Sequence, residues 1–144
     1  MLPPTLEPII GEDGLRAWDT LVASLPSGQL YHGTSLLRAQ AIMQEGFRTS
    51  FGRIVEDNRI DTYWGHSQVA ANFAYRNAAL ENCPPAILSA SLTDVLASGE
   101  PMALRTSCDD CDIEYPSWLE CYEDTGSFWI RGGRHVAGLI LHTI

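Results

Sequence analysis

Lysine is absent from this chain. All nine basic residues are arginine, and they stand against 18 acidic ones for a formal net charge of −9. Without lysine, Schiff-base chemistry and a lysine general base are excluded, and a phosphate has to be held by arginine, backbone amides or hydroxyls. The acidic excess repels a phosphate backbone, so nucleic acid is disfavoured as the main partner. GC-rich codon usage accounts for a lysine-free chain; freedom from lysine-directed modification inside a foreign cell is the alternative. Long apolar runs are also missing. None approaches the roughly 20 residues of a membrane helix, and Met1-Leu2-Pro3-Pro4 lacks the basic start and apolar core of a leader. A soluble, cytoplasmic protein with no membrane partner is expected.

Cysteine is sparse. Cys108-Asp109-Asp110-Cys111 has zinc-like spacing and Cys121 follows, but Cys83 stands apart before Pro84-Pro85. No second pair of Cys or His completes a four-ligand set, so reduced thiols without a metal are expected. A three-Cys site completed by a carboxylate or a distant His, or a disulfide from Cys108 or Cys111 to Cys121, is the alternative. No Gly-x-Ser-x-Gly elbow is present, so Ser35 or Ser67 with His66 or His135 makes no hydrolytic triad.

The 144 residues, 45% hydrophobic, suffice to bury about two-thirds of the unfolded surface as one domain. Residues 1–144 are read as that domain, with 1–28 a helical lead-in and 94–124 an acidic insert. Apolar spacing predicts a helix over Glu12–Leu25, after an extended start marked by Pro3, Pro4 and Pro8. A strand over Gln29–His32 follows. Thr34-Ser35 is placed to cap a helix from Leu36 to Gln44 that Gly46 ends. Arg48–Asp61 reads as a polar loop, Thr62–Gly65 as a strand and Ser67–Ala79 as a helix with Val69, Ala70, Phe73 and Ala74 inward. Ala86–Leu92 reads as a strand. From Asp94 to Asp124 nine acidic residues are opposed only by Arg105, the pattern of a solvated face or loop. Strands over Phe128–Arg131 and Val136–Ile144, joined at Gly132-Gly133, close the chain. Helices early and strands late predict an α+β class, with helices flanking a curved, largely antiparallel sheet.

Two segments carry the chemistry. Tyr31-His32-Gly33-Thr34 delivers a His and a Gly at a strand end, before a helix ending in Gly46-Phe47. Asp61-Thr62-Tyr63-Trp64-Gly65 precedes a helix containing Ala70-Ala71-Asn72-Phe73-Ala74. Their order and spacing resemble the ADP-ribosyltransferase superfamily, in its diphtheria-toxin and poly(ADP-ribose)-polymerase branch with a His-Tyr-Glu signature. The resemblance covers Leu30 to Leu92 well and the last strands weakly. It leaves out the N-terminal helix and the acidic insert. It implies an ADP-ribosyltransferase-like split sheet and NAD as substrate. His32 matches the residue that bonds ribose hydroxyls, and Gly33 the one whose backbone clamps the nicotinamide amide, with Thr34 beside it. Tyr63 and Phe73 match the aromatic walls of the nicotinamide site. Each also has an ordinary reading: a His bonded to backbone, a core aromatic, and a member of the helix's inner stripe.

The third signature position departs. Aligned on Phe128-Trp129-Ile130, the family's catalytic Glu falls on Ser127, which supplies a hydrogen bond but no charge. Asp124, with Glu123 beside it, is the nearest carboxylate to take that role. The resemblance, without its Glu, implies mono-ADP-ribosyl transfer from NAD to a protein acceptor, as in a phage or bacterial effector, with Arg48, Arg53 and Arg59 available to the pyrophosphate. Three alternatives stand beside it. One is NAD hydrolysis in the same pocket. Another is a non-catalytic acidic protein that occupies a partner's basic site through residues such as Asp109, Asp110 and Asp112. The last, an RNA 2′-phosphotransferase, is disfavoured by the net charge.

Overall fold

The computed structural model describes residues 5–48, 60–102, 106–108, 111–113 and 115–144. Its elements run α1 (Glu7–Ser24), β1 (Gln29–Ser35), α2 (Leu36–Glu45), β2 (Asp61–Gly65), α3 (Ser67–Glu81), β3 (Pro85–Ser91) and α4 (Leu92–Ala97). Then come β4 (Glu100–Met102), β5 (Thr106–Cys108), β6 (Cys111–Ile113), α5 (Trp118–Thr125), β7 (Ser127–Arg131) and β8 (Ile140–Thr143). Six strands form one antiparallel open sheet in the order β4-β7-β2-β1-β3-β8, and β5 pairs with β6 apart from it. The α+β class with helices on an antiparallel sheet is as the sequence predicts. No helix among the described residues is long and apolar enough to cross a membrane.

The sheet is two halves with a weak seam. β1 pairs with β3 along its whole length, Gln29 opposite Ser91 through Ser35 opposite Pro85, and β2 pairs with β7 from Asp61–Arg131 to Gly65–Ser127. Between β1 and β2 a single pair, Tyr31 opposite Gly65, is in register. Beyond it the strands part.

Alternation along the strands gives the two faces different cover. One face carries Leu30, Trp64, Leu88, Phe128 and Ile130 in a core that spans the seam, with Leu36, Leu96, Trp118 and Tyr122 packed on it. Trp64 is buried with its indole N–H satisfied by Thr62 Oγ1 at 2.9 Å, which spares it an unpaired donor. The other face carries Tyr31 and Ile87 beneath Trp18, Ala70, Ala71 and Ala74.

The approach of α3 depends on small residues. Ala70, Ala71, Ala74 and Ala78 are its buried positions, and they let its backbone descend onto β1 at Gly33. A Cβ on Gly33 would lie 1.7 Å from the Ala70 carbonyl oxygen and 2.8 Å from the Ala74 nitrogen. The inner stripe is therefore made of alanines, and Phe73, placed inward by the periodicity, is 43% exposed.

Other boundaries also differ from the sequence reading. The first helix starts at Glu7 with Pro8 in its opening turn, where no amide is needed, and Gly11 breaks it with φ 74°. The segment 94–124, expected as a solvated face or loop, holds parts of two helices and three short strands. Ser91 and Ser117 cap α4 and α5 by accepting from the amides of Asp94 and Glu120, the Ser-x-x-acid pattern of a helix start. The final two strands are not a hairpin joined at Gly132-Gly133. β7 lies beside β2, whereas β8 crosses to the far edge beside β3.

Gly33→Ala is expected to destabilise the fold by at least about 2–3 kcal/mol, because backbone on both sides cannot yield as a side chain can. Urea unfolding at neutral pH reads this directly; a loss below about 0.5 kcal/mol would show that α3 does not rest on β1 there.

Candidate functional site

Where β1 and β2 part, α3 packs chiefly on β1 and β3 and meets β2 through Val69 beside Gly65 and Phe73 beside Tyr63, and a cavity of about 490 Å³ opens between the helix and β2. β1 contributes His32, Gly33 and Thr34, β2 contributes Tyr63 and Gly65, and β7 contributes Ser127. α3 presents Val69, Phe73, Arg76 and Leu80, the helical face beside its alanine stripe.

His32 sits in the seam itself. Its Nδ1 lies 2.7 Å from the Tyr63 carbonyl oxygen; the carbonyl can only accept, so Nδ1 carries the proton and Nε2 is left as an acceptor in the neutral ring. The side chain thus spans the gap where the two strands no longer pair. Phe47 stands edge-on behind the ring at 4.9 Å and Trp64 lies at 5.8 Å. Gly46 brings Phe47 there: it ends α2 at φ 82°, and the next amide, of Phe47, donates to the Arg134 carbonyl at 2.7 Å. Burial holds the His32 pKa below its ordinary value of 6.5, against a smaller upward pull from the Tyr63 carbonyl.

Tyr63 and Phe73 face one another across the cavity mouth with ring centroids 6.5 Å apart and planes 23° from parallel. Two aromatic contacts in series need about 7 Å, so a planar ring enters with a slight spreading of the walls. Tyr63 is 47% exposed, although Thr62 and Trp64 on either side are buried. An exposed aromatic pair flanking an open slot is unusual for core residues.

Of the residues singled out in the sequence, His32, Gly33, Thr34, Tyr63, Phe73 and Ser127 meet at this cavity. Gly33 has a reason beyond ligand approach, since the space of its absent side chain is filled by α3. Asp124 is not brought in. It lies exposed on α5 and accepts a hydrogen bond from the Tyr115 hydroxyl, which pushes the Tyr115 pKa up to about 12. Arg48 is not at the cavity either; it pairs with Glu45 at 2.8 Å. Arg53, Arg59, Asp109 and Asp110 lie outside the described residues. His66 is exposed at the start of α3 with Nδ1 3.2 Å from the Tyr122 hydroxyl. Cys83 and Cys121 are buried free thiols, and Cys121 donates to the Ser127 carbonyl at 3.3 Å. Among the described residues no group of His, Cys, Asp and Glu could hold a metal ion.

The sequence reading missed Arg38, Arg76, Asn77 and Leu80, all of which line the cavity. The α3 residues were within reach of helical periodicity, once Phe73 was turned outward. No Asp or Glu is among the described lining residues.

These features define an α+β protein whose split antiparallel sheet opens into a cleft with a neutral His at its seam and an aromatic slot at its mouth. Comparison with models of known protein families, with curated proteins and with solved structures finds no match to this chain.

His32 titration yields a stability prediction. Its folded pKa is lowered, so the unfolded chain takes up the proton first. Stability from this group is complete above pH 6.5 and falls as pH drops below it, by at most about 1.4 kcal/mol per pH unit. His142, also lowered by burial, acts in the same sense. His32→Asn keeps a donor toward the Tyr63 carbonyl and cannot titrate, so urea unfolding between pH 7.5 and 5.5, a window of about two units around the histidine range, is expected to show a shallower pH slope. An unchanged slope would assign the dependence elsewhere.

Proposed function

We propose that the cleft binds NAD and transfers ADP-ribose from it to a protein acceptor, as a mono-ADP-ribosyltransferase of the His-Tyr-Glu type with the Glu position occupied by Ser127. The observation that carries this reading is the seam. A neutral His whose Nδ1–H is committed to the Tyr63 carbonyl leaves Nε2 as an acceptor on a residue that lines the same cavity as the Tyr63–Phe73 pair, whose gap a planar ring enters with slight spreading. A ribosylated heterocycle needs that combination: an acceptor for a ribose hydroxyl beside two faces for its base.

The residues fit the ligand's parts in turn. The nicotinamide ring enters between Tyr63 and Phe73, where stacking contributes roughly 1–3 kcal/mol per face by analogy with bases on protein aromatics. The backbone of Gly33, on the β1 edge left without a strand partner past Tyr31, supplies the amide clamp. His32 Nε2 accepts from the nicotinamide-ribose hydroxyl. In the reaction the bond from ribose C1′ to the pyridinium nitrogen breaks, nicotinamide leaves with the electron pair, and the acceptor nucleophile bonds C1′ and releases its proton to solvent. The contribution of His32, Tyr63 and Phe73 is to hold C1′ open to attack, so positioning supplies most of the rate.

A second reading, binding of the nucleotide without turnover, is favoured by one observation: no carboxylate is among the described lining residues. An oxocarbenium-like transition state then lacks its usual counter-charge.

Nicotinamide release from NAD, measured with and without a cell lysate as acceptor, separates these readings. Transfer predicts release that depends on lysate and falls at least tenfold in both His32→Ala and Tyr63→Ala. Release independent of lysate indicates hydrolysis. NAD binding without release indicates the second reading, and neither binding nor release rejects the pocket as an NAD site. Ser127→Glu puts a carboxylate opposite Gly65 at the start of β7; it is expected to raise release by roughly 10²-fold, the scale of one electrostatic group aimed at a transition state. No gain in a folded variant would mean that Ser127 is not the family's Glu position.

A further inference from the structure

Beyond the aromatic slot, the same cavity gathers positive charge. Arg38 on α2 and Arg76 on α3 both line it, two of only nine cations in a chain of net charge −9. Arg76, Asn77 and Leu80 continue the α3 face on which Phe73 stands, so this end lies about 5–10 Å along the helix from the ring slot at 1.5 Å per residue.

Arg38 is held in place rather than left to wander. Its Nε donates to Oε1 of Glu81 across from α3, and both side chains are partly buried. Glu81 Oε2 is buried with no hydrogen-bond partner among the described residues. Leaving a carboxylate oxygen unsatisfied is costly, so the pair is not explained by stability alone. Arg76 makes no ion pair with a described residue, and no Asp or Glu is among those lining the cavity. With Arg38 paired to Glu81, Arg76 adds a further positive charge to the described wall of a concave site. Attraction for an anion is stronger there than on an open surface.

We infer that Arg38 and Arg76 form an anion subsite for the diphosphate of the bound dinucleotide, one pentose away from the ring slot. This rests on reading the slot as the ring site of the same ligand. It also replaces Arg48, which the fold directs to Glu45. Guanidinium groups suit the task because their planar forks meet phosphate oxygens two at a time.

Calorimetric titration of the purified chain with inorganic pyrophosphate, ADP-ribose and nicotinamide, each at low and raised salt, tests it. Pyrophosphate and ADP-ribose are expected to bind and to weaken with salt, and nicotinamide to be indifferent to it. Arg76→Ala is expected to weaken both anions roughly tenfold and Arg76→Glu more. Arg38→Gln is expected to act in the same direction, all with nicotinamide binding unchanged. Arg76 is exposed, so its variants keep the wild-type unfolding midpoint. Failure of the wild type to bind either anion, or unchanged anion affinity in Arg76→Glu and Arg38→Gln, overturns the subsite. The two readings fail separately. Arginine-dependent pyrophosphate binding with no effect of Tyr63→Ala on any ligand keeps the subsite and removes the slot. Ring binding lost in Tyr63→Ala, with the arginine variants behaving as wild type, does the reverse.

Discussion

The descent of α3 onto Gly33 determines most of what is distinctive here. Helix and strand backbones can come this close only because one carries no side chain and the other presents a row of alanines. Seated on the β1–β3 half, α3 leaves most of β2 and β7 uncovered on this face. The face it leaves uncovered becomes the far wall of the cleft. The helix side chains one position over from the alanines, Val69, Phe73, Arg76 and Leu80, then line the near wall. Packing and site share one helix, on adjacent stripes.

The seam has its own logic. Where β1 and β2 part, backbone groups lose their sheet partners, and an unpaired buried carbonyl is expensive. The His32 ring answers one of these at Tyr63. In doing so it fixes its own tautomer, since a carbonyl selects the protonated nitrogen. Phe47 and Trp64 hold the ring from the side of the shared core. A neutral, oriented imidazole thus follows from burial and one backbone oxygen, with no charged residue needed to hold it.

Much of this was legible in the sequence, and the gaps have physical causes. The Ser35 cap and the helix stop at Gly46 were readable from residue type and spacing, because each rests on local backbone geometry; His32 and Gly33 were read at a strand end, whereas β1 continues through them to Ser35, held there by its pairing with β3. The stripe of α3 was misassigned because Phe73 outweighs alanine on any hydrophobic scale, whereas the choice of face was made by how closely β1 could be approached. The helices in 94–124 were hidden by acidic composition, although Ser91-x-x-Asp94 and Ser117-x-x-Glu120 announced their starts. Arg38 could not have been found at all from sequence, since its place at the cavity depends on Glu81 reaching across from another helix. The crossing of β8 to the far edge is likewise a long-range outcome, fixed by its pairing with β3.

The single Tyr31–Gly65 bridge also has a mechanical meaning. On one side of the sheet a continuous core ties the halves together and holds the imidazole; on the other, Phe73 meets Tyr63 and Val69 meets Gly65 across the seam. Strand pairing therefore carries little of the link between the halves, which falls to side chains: the shared core on one face and the aromatic slot on the other. The width of the slot is therefore the distance between a residue of the β2–β7 half and one of the helix seated on the β1–β3 half, so it depends on how the two halves are joined and not on one element alone.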